Sequence, residues 1–334
     1  VRYIKRDNPL KYSTLFITII VISGIINNES LVTTISRIIS IIAAYAIVEN
    51  FSLKRFLRVF SNFMNIVTVV ALVVEVFAYT IPGIFALFPI VVNTSGTPFY
   101  TFFVGSIELR EMSHALIRSN GVFWEPGAFA IYLIFNIIIE LFAFETINIK
   151  RLLVSCLGVL LTFSTTGYIV LVVVAIAFLL SSRSEGYSRN VKFLIWLSVI
   201  AISAFAIASE SNAIIDGVFG KLLNLSSNSS ATTRFSSLFN GMKVALSHPV
   251  FGVAGNTGHY METIISSENA KYTIGGTIIT NTVIGLSASY GLIFGFLFVF
   301  GNFMFARKIG SSRLNAILIF LAIILAYFGE RFFS

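Results

Sequence analysis

Apolar runs of about 18 or more residues with few charges recur along this chain, and a helix needs roughly 20 such residues to cross the hydrocarbon core of a bilayer. That repetition leaves little choice of architecture. The 334 residues are 56% hydrophobic and 11% charged, with a mean hydropathy of +0.90, more apolar surface than a soluble core of this length hides. The chain reads as all-α: a polytopic membrane helical protein of about nine to ten transmembrane helices, forming a single integral membrane domain over 1–334. Spans are expected near 12–26, 31–49, 58–81, 122–143, 150–164, 166–181, 192–209, 277–304 and 312–330. The first run is followed by further spans, so it reads as a retained signal anchor and not as a cleaved leader. Cys156 is the single cysteine and lies inside an apolar run, which leaves neither a disulfide framework nor a cysteine metal site.

The net charge of +8 does not gather into a nucleic-acid patch. Most of the Lys and Arg residues fall in alternate gaps between spans, as the positive-inside rule requires, and this places the N-terminus in the cytoplasm. The two long loops, 82–121 and 210–276, then face outward. An odd number of spans leaves the C-terminus outside, where the chain stops at residues 331–334 as though another span followed. The expectation is a missing end or a miscounted helix at the short pair joined by residues 164–167.

Two charges within spans lie at equal depth. Arg37 and Glu75 each sit about six residues from an outer span end, roughly 9 Å deep at 1.5 Å per residue, and are expected to pair. Such a pair serves either function or helix packing.

Polar chemistry concentrates in the outward loops. In residues 118–127, Arg-Ser-Asn-Gly-Val-Phe-Trp-Glu-Pro-Gly, Pro126 suits the first turn of a helix, where its missing N–H is no loss. Glu125 is then the N-cap or close to it, near the positive end of the helix dipole. Gly121 and Gly127 allow tight backbone approach. Upstream, Pro82, Gly83, Pro89 and Pro98 make an irregular stretch whose 84–92 portion is apolar enough to lie in the membrane interface. Arg110, His114 and Arg118 recur every four residues, so a helix would stack them on one face, either a solvated face or an anion site.

The second loop carries an amphipathic stripe over 214–223, a Ser/Asn-rich hinge over 225–231, and a helix capped by Thr232 or Thr233. That helix presents Phe235, Leu238, Phe239, Met242 and Leu246 on one side. Arg234 falls in its first turn, against the dipole, which calls for an anionic partner or ligand. After His248-Pro249 comes Gly-Val-Ala-Gly-Asn-Thr-Gly-His at 252–259, either a plain loop or the lining of a phosphate or sugar cleft. It lacks the Lys-Ser/Thr and the preceding strand of a P-loop. His114, His248 and His259, all three histidines, lie in these loops. With no H-E-x-x-H, Cys/His ligand spacing or outward D-x-D, neither a metal nor a cofactor is expected.

Four segments in order carry a family resemblance: R-x-x-G-x-F-x-E-P-G at 118–127, Leu-Thr-Phe-Ser-Thr-Thr-Gly at 161–167, Arg234 with the His-Pro-Val-Phe-Gly-Val-Ala-Gly-Asn run at 248–256, and Asn281 with Ser-Tyr-Gly at 289–291. Together they resemble the bacterial O-antigen and exopolysaccharide polymerases of Wzy type, relatives of the O-antigen ligases. The resemblance implies a GT-C-like fold in the bacterial cytoplasmic (inner) membrane. It also implies metal-independent joining of undecaprenyl diphosphate-linked oligosaccharide units, with membrane lipid around the site and a chain-length regulator protein as a possible partner. A leaving diphosphate without a metal calls for guanidinium groups, which stay charged and bind phosphate bidentately. Arg118 and Arg234 are the expected diphosphate ligands, with Arg110 assisting. Glu125 is the first candidate for the base and His259 the second, and His114, His248, Asn256 and Asn281 complete the candidate set. Where the ligase branch has a His before the Asn matching Asn281, this chain has Thr280, which argues against ligase. A transporter or flippase of lipid-linked oligosaccharide is the alternative of another class.

Overall fold

A computed structural model describes residues 9–92, 98–102, 105–108, 117–181, 229–255, 260, 262 and 281–329. The chain is predominantly helical. Among the described residues, five helical segments are long and apolar enough to cross a membrane: Pro9–Ile26, Leu31–Asn50, Leu53–Thr80, Pro126–Ala143 and Leu292–Ile309. Many of their large apolar side chains point away from the protein, among them Leu31, Val32, Ile35, Ile39 and Ile42 on the second helix. Exposed apolar surface of that extent is what a helix in contact with lipid presents. The spans expected at 192–209 and the stripe at 214–223 lie outside the described residues.

Two compact units form. One contains residues 1–56, 224–302 and 327–334, and the other 57–223 and 303–326.

In the first unit, α1 (Pro9–Ile26) and α2 (Leu31–Asn50) form a hairpin. Phe16, Ile19 and Ile20 of α1 pack with Leu286, Tyr290 and Phe294. The expected Arg37–Glu75 pair is not formed. Arg37 is ion-paired with Glu29 in the hairpin turn, its guanidinium 5.4 Å from the ring centroid of Tyr290. Helical side chains lean toward their own N-terminus, so the long Arg37 stem rises from α2 toward the turn that precedes it.

The second unit is built on α3 (Leu53–Thr80) and α4 (Pro126–Ile138), which continues as a π-helical turn over Ile139–Ala143. Nearly every side chain of α4 is buried, the behaviour of a helix that is apolar all round. Helices α5 (Ile149–Leu161) and α6 (Thr165–Leu179) pack on it as two separate elements, so the short pair around 164–167 stands as two helices. A Cβ on Gly158 would come within 2.7 Å of Thr68 and 2.9 Å of Leu133, which shows how closely α5 approaches both neighbours. Asn136 of α4 donates to Ser155 Oγ of α5 at 2.9 Å inside this contact.

The loop after α3 has more order than its prolines suggested. A 3-10 turn, Pro82–Leu87, leads into an antiparallel sheet of β1 (Ile90–Val92), β2 (Pro98–Phe102) and β3 (Gly105–Glu108), in the order β1-β2-β3. Ile90 faces Tyr100, and Phe99 faces Glu108. β-branched and aromatic residues favour the pleat, and Phe85, Ile107 and Ile117 bury against Ala78 at the end of α3.

Later in the chain, α7 (Ser229–Ser247) begins a few residues before the expected Thr cap. Ser237, Gly241, Val244 and Ala245 are buried, whereas Phe239, Met242 and Leu246 are exposed. Small residues at 237, 241 and 245 let the backbone of the next helix approach, as in tightly packed membrane helices. The span expected at 277–304 is broken into α8 (Thr282–Tyr290) and α9 (Leu292–Ile309) at Gly291, whose φ is 89°. A final helix, α10 (Arg313–Gly329), is tied to α6 by Asn315 Nδ2 donating to the Ala177 carbonyl at 2.6 Å.

Candidate functional site

Residues 117–121 connect the sheet to the start of α4, and backbone groups hold them on two sides. The Ser119 N–H donates to the Leu161 carbonyl at 3.0 Å, and the Gly121 carbonyl accepts from the Ser106 N–H at 2.7 Å. Arg118 Nε donates to the Thr162 carbonyl at 3.2 Å. Leu161 ends α5 and Thr162 is its C-cap, so the guanidinium lies where orphan carbonyls and the helix dipole favour a cation. This contact joins two of the family-like segments, 118–127 and 161–167, which are far apart in sequence. The helical stacking of Arg110, His114 and Arg118 does not hold at its end, since residues 117–120 are not helical. Arg110 and His114 lie outside the described residues.

The end of the motif is as expected. Glu125 is the N-cap of α4 with φ −158° and ψ 157°, and Pro126 opens the helix. Its carboxylate does not cap the helix. Oε1 accepts from the indole N–H of its neighbour Trp124 at 3.2 Å. Gly121 has a φ of 54°, and the ring of Phe129 sits 3.2 Å from where a Cβ would be, so glycine answers both to the left-handed turn and to the close approach. Phe123 stacks on Tyr132, with centroids 4.4 Å apart, which fixes the turn over the helix.

A small cleft opens between the end of α3, β3 and this turn, lined among others by Glu75, Ser106, Arg118, Ser119 and Asn120. Glu75 is 4% exposed and Asn120 1% exposed. Neither carboxylate oxygen of Glu75 and neither polar atom of the Asn120 side chain has a hydrogen-bond partner. Tyr168 lies within electrostatic reach of both Arg118 and Glu75, and its hydroxyl donates to the Leu160 carbonyl at 2.6 Å. The sequence singled out Glu75 for its depth and not for these neighbours, and Asn120 was missed. Its place inside the Arg-to-Glu motif was the available signal.

In the described part of the glycine run, 252–255, the backbone N–H groups serve the fold; residues 256–259 lie outside the described residues. The N–H groups of Val253 and Ala254 donate to the carbonyls of Ala288 and Ser289 at 2.9 and 2.8 Å, and the Leu292 N–H donates to the Pro249 carbonyl at 2.8 Å. Residues 249–255 thus fill the break between α8 and α9 and satisfy the groups that the break orphans. The Gly255 N–H donates to Glu29 at 2.7 Å, and Ser23 Oγ donates to the Phe251 carbonyl at 2.6 Å. These N–H groups are consumed by the protein itself. Asn281 caps α8, its side-chain oxygen accepting from the Ile284 N–H at 2.9 Å, while its Nδ2 is buried without a partner. His248 follows α7 and has a buried Nδ1 that makes no hydrogen bond. Arg234 falls within α7, but its side chain, like Asn256 and His259, lies outside the described residues.

Glu140 was passed over in the sequence because it sits in the apolar run of α4. It is 1% exposed, accepts from Ser61 Oγ at 2.5 Å and lies 3.6 Å from Arg151. These contacts account for it structurally.

Comparisons with protein-family models, with curated proteins and with solved structures find no match.

Proposed function

We propose that this chain is a polysaccharide polymerase that joins undecaprenyl diphosphate-linked oligosaccharide repeat units at the outer face of the bacterial cytoplasmic membrane. The observation that carries the reading is the position of Arg118. Its guanidinium is anchored through Nε on the end of α5, and it lines a cleft that also holds a buried carboxylate and carboxamide. A cation fixed before substrate arrives is what stabilises a leaving diphosphate at little reorganisation cost. In this mechanism a hydroxyl of one lipid-linked unit attacks the anomeric carbon of the growing chain. The bond to the diphosphate breaks, and its electron pair leaves on the diphosphate oxygen. Arg118 and Arg234 neutralise that charge, with Arg110 assisting, and no metal is needed. The fold is of GT-C type, and a chain-length regulator is the partner protein.

One observation favours a second reading. The α8–α9 helix is broken at Gly291, and discontinuous helices at membrane depth are also used by transporters to bind cargo. On that reading the cationic residues hold the diphosphate of a lipid-linked sugar without cleaving it.

Arg118→Ala, followed by separation of the cell's glycans by length, distinguishes the two. Single lipid-linked units outside the cell with no polymer support the polymerase. Units retained inside support transport, and an unchanged ladder removes Arg118 from either mechanism.

A further inference from the structure

We infer that Glu75 and Asn120 form the acceptor-hydroxyl subsite of the Arg118 cleft, and that Glu75 takes the proton of the attacking sugar hydroxyl. This rests on the polymerase reading and names the base that the reading requires.

Both side chains line one cleft, both are almost fully buried, and all four of their side-chain polar atoms lack partners. Folded proteins rarely leave such groups unmatched, and those that remain call for an explanation such as a ligand or a catalytic role. What they would bind follows from their chemistry. An ionised carboxylate only accepts hydrogen bonds, whereas a carboxamide both donates and accepts. A single hydroxyl placed between them donates to Glu75 and accepts from Asn120 Nδ2, and the attacking sugar hydroxyl is such a group.

Position supports the same assignment. Glu75 lies in the last two turns of α3 and Asn120 two residues from Arg118, so one compact unit brings base, hydroxyl site and cation together. Glu125 is bonded to Trp124 and is not among the cleft-lining residues. In the reaction, the hydroxyl proton moves to a Glu75 oxygen as the hydroxyl oxygen forms its bond to the anomeric carbon. The bond from that carbon to the diphosphate oxygen breaks, and its electron pair departs on the diphosphate beside Arg118. The protonated Glu75 then gives its proton to water.

The test uses the full chain in membranes supplied with its lipid-linked repeat unit, with Glu75→Gln, Glu75→Asp, Asn120→Ser and Arg118→Ala assayed for chain extension and for protein in the membrane. Glu75→Gln keeps the shape but cannot accept the proton, and is expected to lose at least 100-fold in extension while lipid-linked single units accumulate. Glu75→Asp keeps a fraction of the activity with an altered pH profile. Asn120→Ser raises KM for the acceptor about 10-fold and leaves kcat nearly unchanged. If Glu75→Gln extends chains as the parent does while Arg118→Ala does not, the subsite is wrong and the polymerase stands. If neither substitution changes the ladder, the polymerase reading itself fails. Should Glu75→Gln reach the membrane at a reduced level, Asn120→Ser decides, and an unchanged acceptor KM there overturns the subsite.

Discussion

Arg118 donates through Nε to the carbonyl of Thr162, 3.2 Å away, so a residue from the turn before α4 closes the end of α5. Arg118→Lys keeps the cation near the dipole but loses the planar fork that binds phosphate at two points. Chain extension is expected to fall roughly 10- to 100-fold, the worth of one charge-assisted hydrogen bond. The amount of protein in the membrane should stay close to that of the parent. A glycan ladder compared with an immunoblot of the membrane fraction checks both.

The helix break makes a sharper prediction. A Cβ on Gly252 would meet the Ala288 carbonyl oxygen at 2.4 Å, and one on Gly291 the Val250 carbonyl oxygen at 2.2 Å, and both glycines have positive φ. Either Gly→Ala change should destabilise the protein by about 2–5 kcal/mol, combining the left-handed penalty with overpacking against backbone. Gly301 has open space around its Cβ position, so Gly301→Ala should be neutral or slightly stabilising. Thermal unfolding in detergent separates the two classes.

Arg37 and Glu29 should be energetically coupled. The Glu29 side chain is 4% exposed and also accepts from Thr34 Oγ1 at 3.1 Å and from the Gly255 N–H at 2.7 Å. Glu29→Gln leaves the cation unbalanced, whereas changing both residues to Gln removes the mismatch. A double-mutant cycle is expected to return a coupling of about 0.5–3 kcal/mol. A value of zero would mean that the pair is ornamental.

The two faces of α7 should respond oppositely to substitution. Gly241 is buried, so Gly241→Leu is expected to cost about 1–3 kcal/mol or more through overpacking. Phe239 is 70% exposed, and Phe239→Ala should change stability by no more than about 0.5 kcal/mol. If Phe239→Ala proves the more damaging, the packing face has been assigned to the wrong side.

Several features were legible because they are local. Run length located the apolar helices, and Pro126 with Glu125 marked where α4 begins. Other features were not legible. Side-chain size does not reveal the packing face of α7, where the small residues 237, 241 and 245 are buried and Phe239 and Met242 are exposed. The span at 277–304 looked continuous because a single glycine does not interrupt hydropathy. The sheet after α3 was hidden by three short strands among prolines.

Composition and the length of the apolar runs by themselves determined that this chain is largely helical, with several helices long and apolar enough to span a membrane, and turn chemistry alone set the Glu125–Pro126 start of α4. Tertiary structure alone decided that Arg37 belongs to Glu29, that residues 249–255 fill the break at Gly291, and that Glu75 shares a cleft with Asn120 and Arg118. Periodicity and capping act within a few residues of chain. The partner that satisfies a buried charge or a broken helix comes from distant segments, and only packing brings those together.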